Sequence, residues 1–236
     1  MSLPRPAATV ILFRDDGALL LMQRSLKSSF FPGAYVFPGG VVEQSDAGET
    51  LPSAVDVWAG HAHAPVSIGG AEGKALYSAY ARAAAREVAE EVGLALDPNA
   101  LQPWARWITP EVESKRFDTL FFTAPLPAGE IALGAAEAEQ HVLLTPQEAL
   151  ARFERGQLML PPPTYVTVAE LAASAPPHHR RAIPEIMPVF ASLDGARALL
   201  LPGDPLHPAA AMTWPPSVTP RILLSGGTRP FQFVVA

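Results

Sequence analysis

Along the first half of the chain the spacing of apolar positions changes from that of strands to that of a helix. Thr9–Phe13 and Ala18–Gln23 are β-branched or leucine-rich runs on either side of Asp15-Asp16-Gly17, and Asp-Gly between two such runs predicts a β-hairpin. A third short strand is predicted over Ala34–Phe37, and Pro38-Gly39-Gly40 is then expected to turn sharply. The period becomes helical over Ala81–Leu94, ARAAAREVAEEVGL, with Gly93 as the stop signal. Ala81, Ala84, Ala85, Val88 and Val92 form one apolar stripe there. Further strands are expected over Leu101–Thr109, Arg116–Thr123 and Val142–Leu144. Thr145 reads as an N-cap with Pro146 at the first helical position, and another helix is predicted from Thr164 to about Ala173. Two last strands, Arg221–Leu224 and Phe231–Val235, are expected near the end of the chain. The alternation of strands and helices predicts an α/β protein.

The helix carries the chemistry. Glu87, Glu90 and Glu91 fall at i, i+3 and i+4, away from the apolar stripe, and share a face. Three carboxylates on one turn repel each other unless a cation lies among them. Arg86, four residues before Glu90, supplies one positive charge and cannot neutralise three. Such a face is either solvated surface or a site for a hard divalent cation, Mg²⁺ or Mn²⁺, which prefers oxygen ligands.

Composition narrows the classes. A net charge of −6 and a pI near 5.5 argue against a nucleic-acid partner. The absence of cysteine excludes a disulfide framework and a thiolate metal site. The apolar stretch Ala7–Phe13 ends at Arg14 and is too short for a signal peptide or a membrane span, so no membrane partner and a cytoplasmic location are expected. Of the 26 prolines, fourteen lie in the last 76 residues, which predicts a loop-rich C-terminal third. Trp104 and Trp107 are candidates for core packing or for stacking on an adenine.

Arg86-Glu87-Val88-Ala89-Glu90-Glu91-Val92-Gly93-Leu94, together with the upstream Phe37-Pro38-Gly39-Gly40, resembles the box of the Nudix hydrolases, G-x5-E-x7-R-E-U-x-E-E-x-G-U, where U is aliphatic. The second half is complete. Asp46 stands where the first glutamate is expected after Gly40, and Arg86 follows it after 39 residues rather than seven, so a 32-residue insertion splits the box. A second motif precedes it. Leu20, Leu21, Arg24, Ser25, Gly33 and Phe37-Pro38-Gly39-Gly40 fall in register with the pattern L-L-T-x-R-S-x3-R-x3-G-x3-F-P-G-G of the coenzyme A diphosphatases in this family. Met22 replaces the threonine and Ser29 the second arginine. A split box of this kind, with Trp107-Ile108-Thr109-Pro110 followed by Arg116-Phe117-Asp118-Thr119, resembles the branch related to peroxisomal coenzyme A diphosphatases.

The resemblance implies a Nudix-type α/β/α sandwich with a mixed β-sheet over residues 1–175. The insertion, about residues 45–75, is expected to form a lid or a pocket wall, with a short helix over Ser53–Ala62 and with His61 and His63 solvated. Residues 176–236 are expected to be a proline-rich extension packed on the same domain. The implied metal ligands are Glu87, Glu90 and Glu91, with Glu87 as ligand or as the base that orients water. Arg86 would position the carboxylates, Gly39 and Gly40 would complete the metal and phosphate cradle, and Arg24 would grip a phosphate. One further acidic residue, Glu139 or Glu137, is expected to bind metal or act as base from the loop before the strand at Val142.

The implied reaction is metal-dependent hydrolysis of a phosphoric anhydride in a small nucleotide substrate. The first choice is coenzyme A or an acyl derivative, giving 3′,5′-ADP and phosphopantetheine or its acyl form. The alternatives are an ADP-ribose, dinucleotide or nucleotide-sugar pyrophosphatase, and a non-catalytic nucleotide sensor on the same fold. A homodimer is expected by analogy with many such enzymes.

Overall fold

The computed structural model describes residues 3–28, 31–54, 70–134, 138–173, 183–209, 212–216, 218–224 and 231–233. Among these, strands β1 (Arg5–Phe13), β2 (Leu19–Arg24), β3 (Tyr35–Val36), β4 (Gly39–Val41), β5 (Gln102–Ile108), β6 (Phe117–Pro125), β7 (Ala138–Leu144) and β8 (Glu185–Ile186) form one mixed sheet. β1 is its axis. It runs parallel to β6 along its whole length, from Arg5↔Phe117 to Phe13↔Pro125, while β4 and β2 pair antiparallel with its beginning and its end. β2 is flanked in turn by β3 and β7.

Alternate residues of the central strands point to two separate cores. On one face Val10, Leu12, Leu20, Met22 and Phe122 pack against Ala81, Ala84, Val88 and Val92 of helix α1 (Gly70–Val92). On the other, Ile11, Leu19, Leu21, Phe121, Trp104 and Trp107 pack against Val166, Val168, Ala169 and Leu171 of helix α3 (Pro162–Ala173). Helix α2 (Pro146–Glu154) joins that second layer through Ala149, and it starts at the predicted Thr145 capping box. The result is the expected α/β/α sandwich. Both tryptophans belong to this core, 3% and 4% exposed, which removes them as stacking platforms. A register shift between Pro103 and Ala105 lets two tryptophans three residues apart face one cluster.

Two elements here depart from expectation. Gly39–Val41 is a strand rather than a sharp turn, paired with Ala7–Thr9. A Cβ on Gly39 would lie 2.3 Å from the Ala8 carbonyl oxygen and 2.6 Å from Thr9 Cα, so glycine serves here to let two backbones meet. Helix α1 begins at Gly70, eleven residues before the predicted start, so the last part of the insertion is a helical extension. The remainder of the predicted Ser53–Ala62 helix, His61 and His63 lie outside the described residues.

The C-terminal region holds more strand than its prolines suggest. β9 (Val189–Leu193), β10 (Ala196–Leu200), β11 (Arg221–Leu224) and β12 (Phe231–Phe233) form a second, antiparallel sheet. Asp194-Gly195, both at positive φ, turns β9 into β10 by the same Asp-Gly signal that is used at residue 16. Leu199, Leu201, Val218 and Ile222 enter the α3-side core. β8 is joined to β5 by parallel pairing and by an ion pair between Arg106 and Glu185 at 2.6 Å.

Candidate active site

The sheet and α1 place the predicted residues at the end of β4, where the glycines leave space. Arg86 is the hub. A guanidinium has five N–H groups, and all of them are engaged here. Nε and Nη2 donate to the two carboxylate oxygens of Asp46, each at 3.1 Å. The second Nη2 hydrogen meets the Val41 carbonyl at 2.9 Å, and Nη1 donates to Glu87 Oε1 at 2.9 Å and to Glu90 Oε2 at 3.1 Å. The bond to Asp46 raises the pKa of Arg86 further above its ordinary value, against the opposing effect of burial. Its charge is therefore fixed at any accessible pH.

The three helix glutamates do not share one environment, contrary to the even polar face expected of them. Glu87 and Glu91 are buried, 9% and 6% exposed, on the side of Val88 and Val92, whereas the Glu90 side chain is 59% exposed. The glycine pair explains how carboxylates fit under the sheet. Gly39 N–H donates to Glu91 Oε2 at 2.8 Å, and a Cβ on Gly40 would lie 2.2 Å from Glu87 Oε1. The expected phosphate cradle thus begins as a carboxylate cradle.

Asp46 is the residue that reasoning from spacing noted but gave no role. It is 3% exposed, and besides gripping Arg86 it accepts the Glu43 N–H at 2.8 Å, closing a capping box on the short 3₁₀ turn Gln44–Asp46. Its position in the glycine half of the pattern was the available signal. Three carboxylates on one guanidinium, with Glu91 next to Glu90 on the helix, leave an excess of negative charge. Among the described residues no three acidic or histidine side chains converge as a closed metal cage. A magnesium-type ion needs none, because it uses one or two carboxylates and completes its shell with water and phosphate oxygens. Hard oxygen donors, one of which (Glu90) is open to solvent, fit that requirement.

The other predicted residues lie on β2 and β7. Arg24 ends β2, pairs with Ala138 on the α1 side of the sheet, and donates from Nη2 to Ser28 Oγ at 2.9 Å. Glu139 is not in a loop but in β7, as the extra residue of a β-bulge opposite Gln23 and Arg24. The bulge turns its carboxylate to the backbone N–H of Leu26 at 3.0 Å and the Ser25 hydroxyl at 3.4 Å. Glu137 and Ser29 lie outside the described residues.

Comparison with known proteins agrees with this geometry. The NUDIX domain family model matches residues 3–55, ending where the insertion runs on. A Nudix hydrolase from Alicyclobacillus acidocaldarius superposes with a TM-score of 0.56 at 25% identity, over 74% of this chain and 93% of that one. Residues 3–55 thus resemble a NUDIX domain, and the chain has the Nudix fold. Its Nudix fold is also shared with a Nitrosomonas europaea Nudix hydrolase, at a TM-score of 0.51 and 15% identity over 79% of this chain and 81% of that one. Among curated proteins, the acyl-coenzyme A diphosphatase NUDT19 of Xenopus laevis is 32% identical over 46% of this chain, but the match spans only 32% of that protein's length. The human acyl-coenzyme A diphosphatase NUDT19 is 27% identical over 80% of this chain and 72% of its own length. No described helix is long and apolar enough to cross a membrane.

Proposed function

We propose that this Nudix protein hydrolyses the phosphoric anhydride of a nucleoside diphosphate-linked substrate, coenzyme A or an acyl-coenzyme A, to 3′,5′-ADP and phosphopantetheine or its acyl form. The observation that supports it most directly is the Arg86 hub, which brings Asp46 of the glycine half and Glu87 and Glu90 of the helix half of a split Nudix box onto one guanidinium. The length over which the chain resembles acyl-coenzyme A diphosphatases supports the choice of substrate.

In this reading Glu87, Glu90 and Glu91 hold Mg²⁺ or Mn²⁺. When bound, the ion neutralises the diphosphate and lowers the pKa of the attacking water. Arg86 fixes the carboxylates of Glu87 and Glu90, and Gly39 N–H fixes that of Glu91. Glu87, or Glu139 from its bulge, takes the proton from water as its oxygen bonds to phosphorus, and the P–O anhydride bond breaks with the electron pair leaving on the departing phosphate. Arg24 grips a substrate phosphate from the end of β2.

The test is a panel of coenzyme A, acetyl-coenzyme A, ADP-ribose, NADH and diadenosine polyphosphates with Mg²⁺ or Mn²⁺, products resolved by chromatography, with Glu91→Gln as control. Release of 3′,5′-ADP from the coenzyme A compounds alone supports the proposal. Equal cleavage across the panel favours the general nucleotide pyrophosphatase, a reading to which Ser29 in place of an arginine gives weight. Nucleotide binding without cleavage of any compound favours the sensor.

A further inference from the structure

At the start of the insertion the chain runs as a strap antiparallel to α1, and three successive turns of the helix hold it. Arg86 takes the Asp46 carboxylate. One turn earlier, Arg82 donates from Nη1 to the Asp46 carbonyl at 3.4 Å and from Nη2 to the Glu49 carbonyl, with its guanidinium lying over Gly48, where a Cβ would stand 3.3 Å from Arg82 Cζ. One turn earlier again, the buried Ser78 Oγ accepts the Leu51 N–H at 2.9 Å.

Arg82 touches none of the helix carboxylates through these bonds, yet it holds both ends of the 46–49 segment that presents Asp46 to Arg86. A displacement of that segment would release Nε and one Nη2 hydrogen of Arg86, leaving the Val41 carbonyl to hold the other, and would loosen the orientation of Nη1, which carries Glu87 and Glu90. We propose that Arg82 is a positioning residue for the metal-binding carboxylates, acting through Asp46 and Arg86. A helix arginine with a merely structural role would hold the strap without influence on cation binding. The contiguity of the bonds, from Arg82 to the Asp46 carbonyl and from the Asp46 carboxylate to Arg86, argues for the coupled role. The inference rests on the metal-dependent hydrolase reading given above.

The experiment measures Mn²⁺ binding to the metal-free full chain by the electron paramagnetic resonance of free Mn²⁺, with kcat and KM on the best substrate of the panel, for wild type, Arg82→Met, Arg82→Lys and Ser78→Ala. Arg82→Met is expected to weaken Mn²⁺ binding and to lower kcat by about tenfold each, the usual size of an outer-shell effect, with KM within about twofold. Arg82→Lys, which keeps a donor for one carbonyl, is expected to recover part of both. Ser78→Ala, which loosens the strap beyond Glu49, is expected to lower the melting temperature and leave Mn²⁺ affinity unchanged.

Wild-type Mn²⁺ affinity in Arg82→Met overturns the proposal, and so does an equal loss in Ser78→Ala. If Arg82→Met does not fold, Arg82→Lys carries the comparison, and wild-type Mn²⁺ affinity and kcat in it overturn the proposal. If the wild type binds Mn²⁺ but cleaves nothing in the panel, the hydrolase reading fails, and the Mn²⁺ arms still decide the role of Arg82.

Discussion

Arg86 and Asp46, forty residues apart in sequence, meet through two parallel hydrogen bonds of 3.1 Å between a guanidinium and a carboxylate. This bidentate pair rejoins the two halves of the split Nudix box and leaves Nη1 of Arg86 to Glu87 and Glu90. Such a fork is more directional than a point charge. Asp46→Ala should therefore lower kcat by at least about tenfold while the far-UV circular dichroism stays native. Single-turnover measurements would check it, and an unchanged rate would show that Arg86 orients its glutamates without this anchor.

The two neighbouring glycines should fail in different ways. Alanine at Gly39 drives a methyl into the backbone of β1 and should cost about 1–3 kcal/mol in urea unfolding, the usual price of overpacking. Alanine at Gly40 meets first the end of the Glu87 side chain, which can swing away. Gly40→Ala should keep most of its stability and lose activity instead. Equal behaviour of the two variants would contradict this division.

Glu90→Gln and Glu91→Gln should each abolish turnover. Glu91→Gln retains an oxygen to accept the Gly39 N–H, so its melting temperature should stay near that of the wild type. Persistent activity in both variants would exclude these carboxylates as metal ligands.

These predictions concern a candidate site that is partly visible in the sequence. Arg86, Glu87, Glu90 and Glu91 were legible because a helix fixes its neighbours within a few residues, and Gly39 because glycine so often marks a close approach. The burial of Glu87 and Glu91 was not legible, because it depends on β4 lying over the helix. The bulge at Glu139 depends on the register between β2 and β7, and nothing local announces it. The same holds for the strap, whose contacts join residues that only the folded chain brings together. In the fold, the Asp194-Gly195 hairpin used a turn signal that was in plain view, but the surrounding prolines drew the reading toward loop.

Arg106 and Asp118 make a second guanidinium–carboxylate fork, at 2.7 and 2.6 Å, on strands β5 and β6, with both residues buried. Burial works against the charge of Arg106, and its bonds to Asp118 hold its pKa above the ordinary value nonetheless. Asp118→Ala removes the buried fork and leaves the Arg106 cation beside the half-exposed Glu185. The expected loss is about 3 kcal/mol in equilibrium urea unfolding.

Asp204 should give the C-terminal region an acid sensitivity. It is 1% exposed, and although burial pushes its pKa up, the bonds from Arg221 at 2.9 and 3.0 Å win and hold it below the ordinary carboxylate value. The unfolded chain then takes up this proton at a higher pH than the folded one. The stabilisation is complete above the unfolded value, about 3.9, and is lost as pH falls through the folded value. Asp204→Asn should flatten the decline of unfolding free energy across that acid range, and an unchanged slope would exclude the pair as a source of it.

The pairing of residue 46 with residue 86 also has a consequence for how such a chain can grow. Closing a flexible loop becomes only logarithmically harder with length, so extending the span between two fixed points from seven residues to 39 adds about 1.5 kcal/mol. A doubly hydrogen-bonded ion pair and the neighbouring strap contacts are of that order or larger. A junction fastened in this way separates the length of the intervening chain from the geometry beneath it, so further growth or shrinkage there is close to neutral for the carboxylates on the helix.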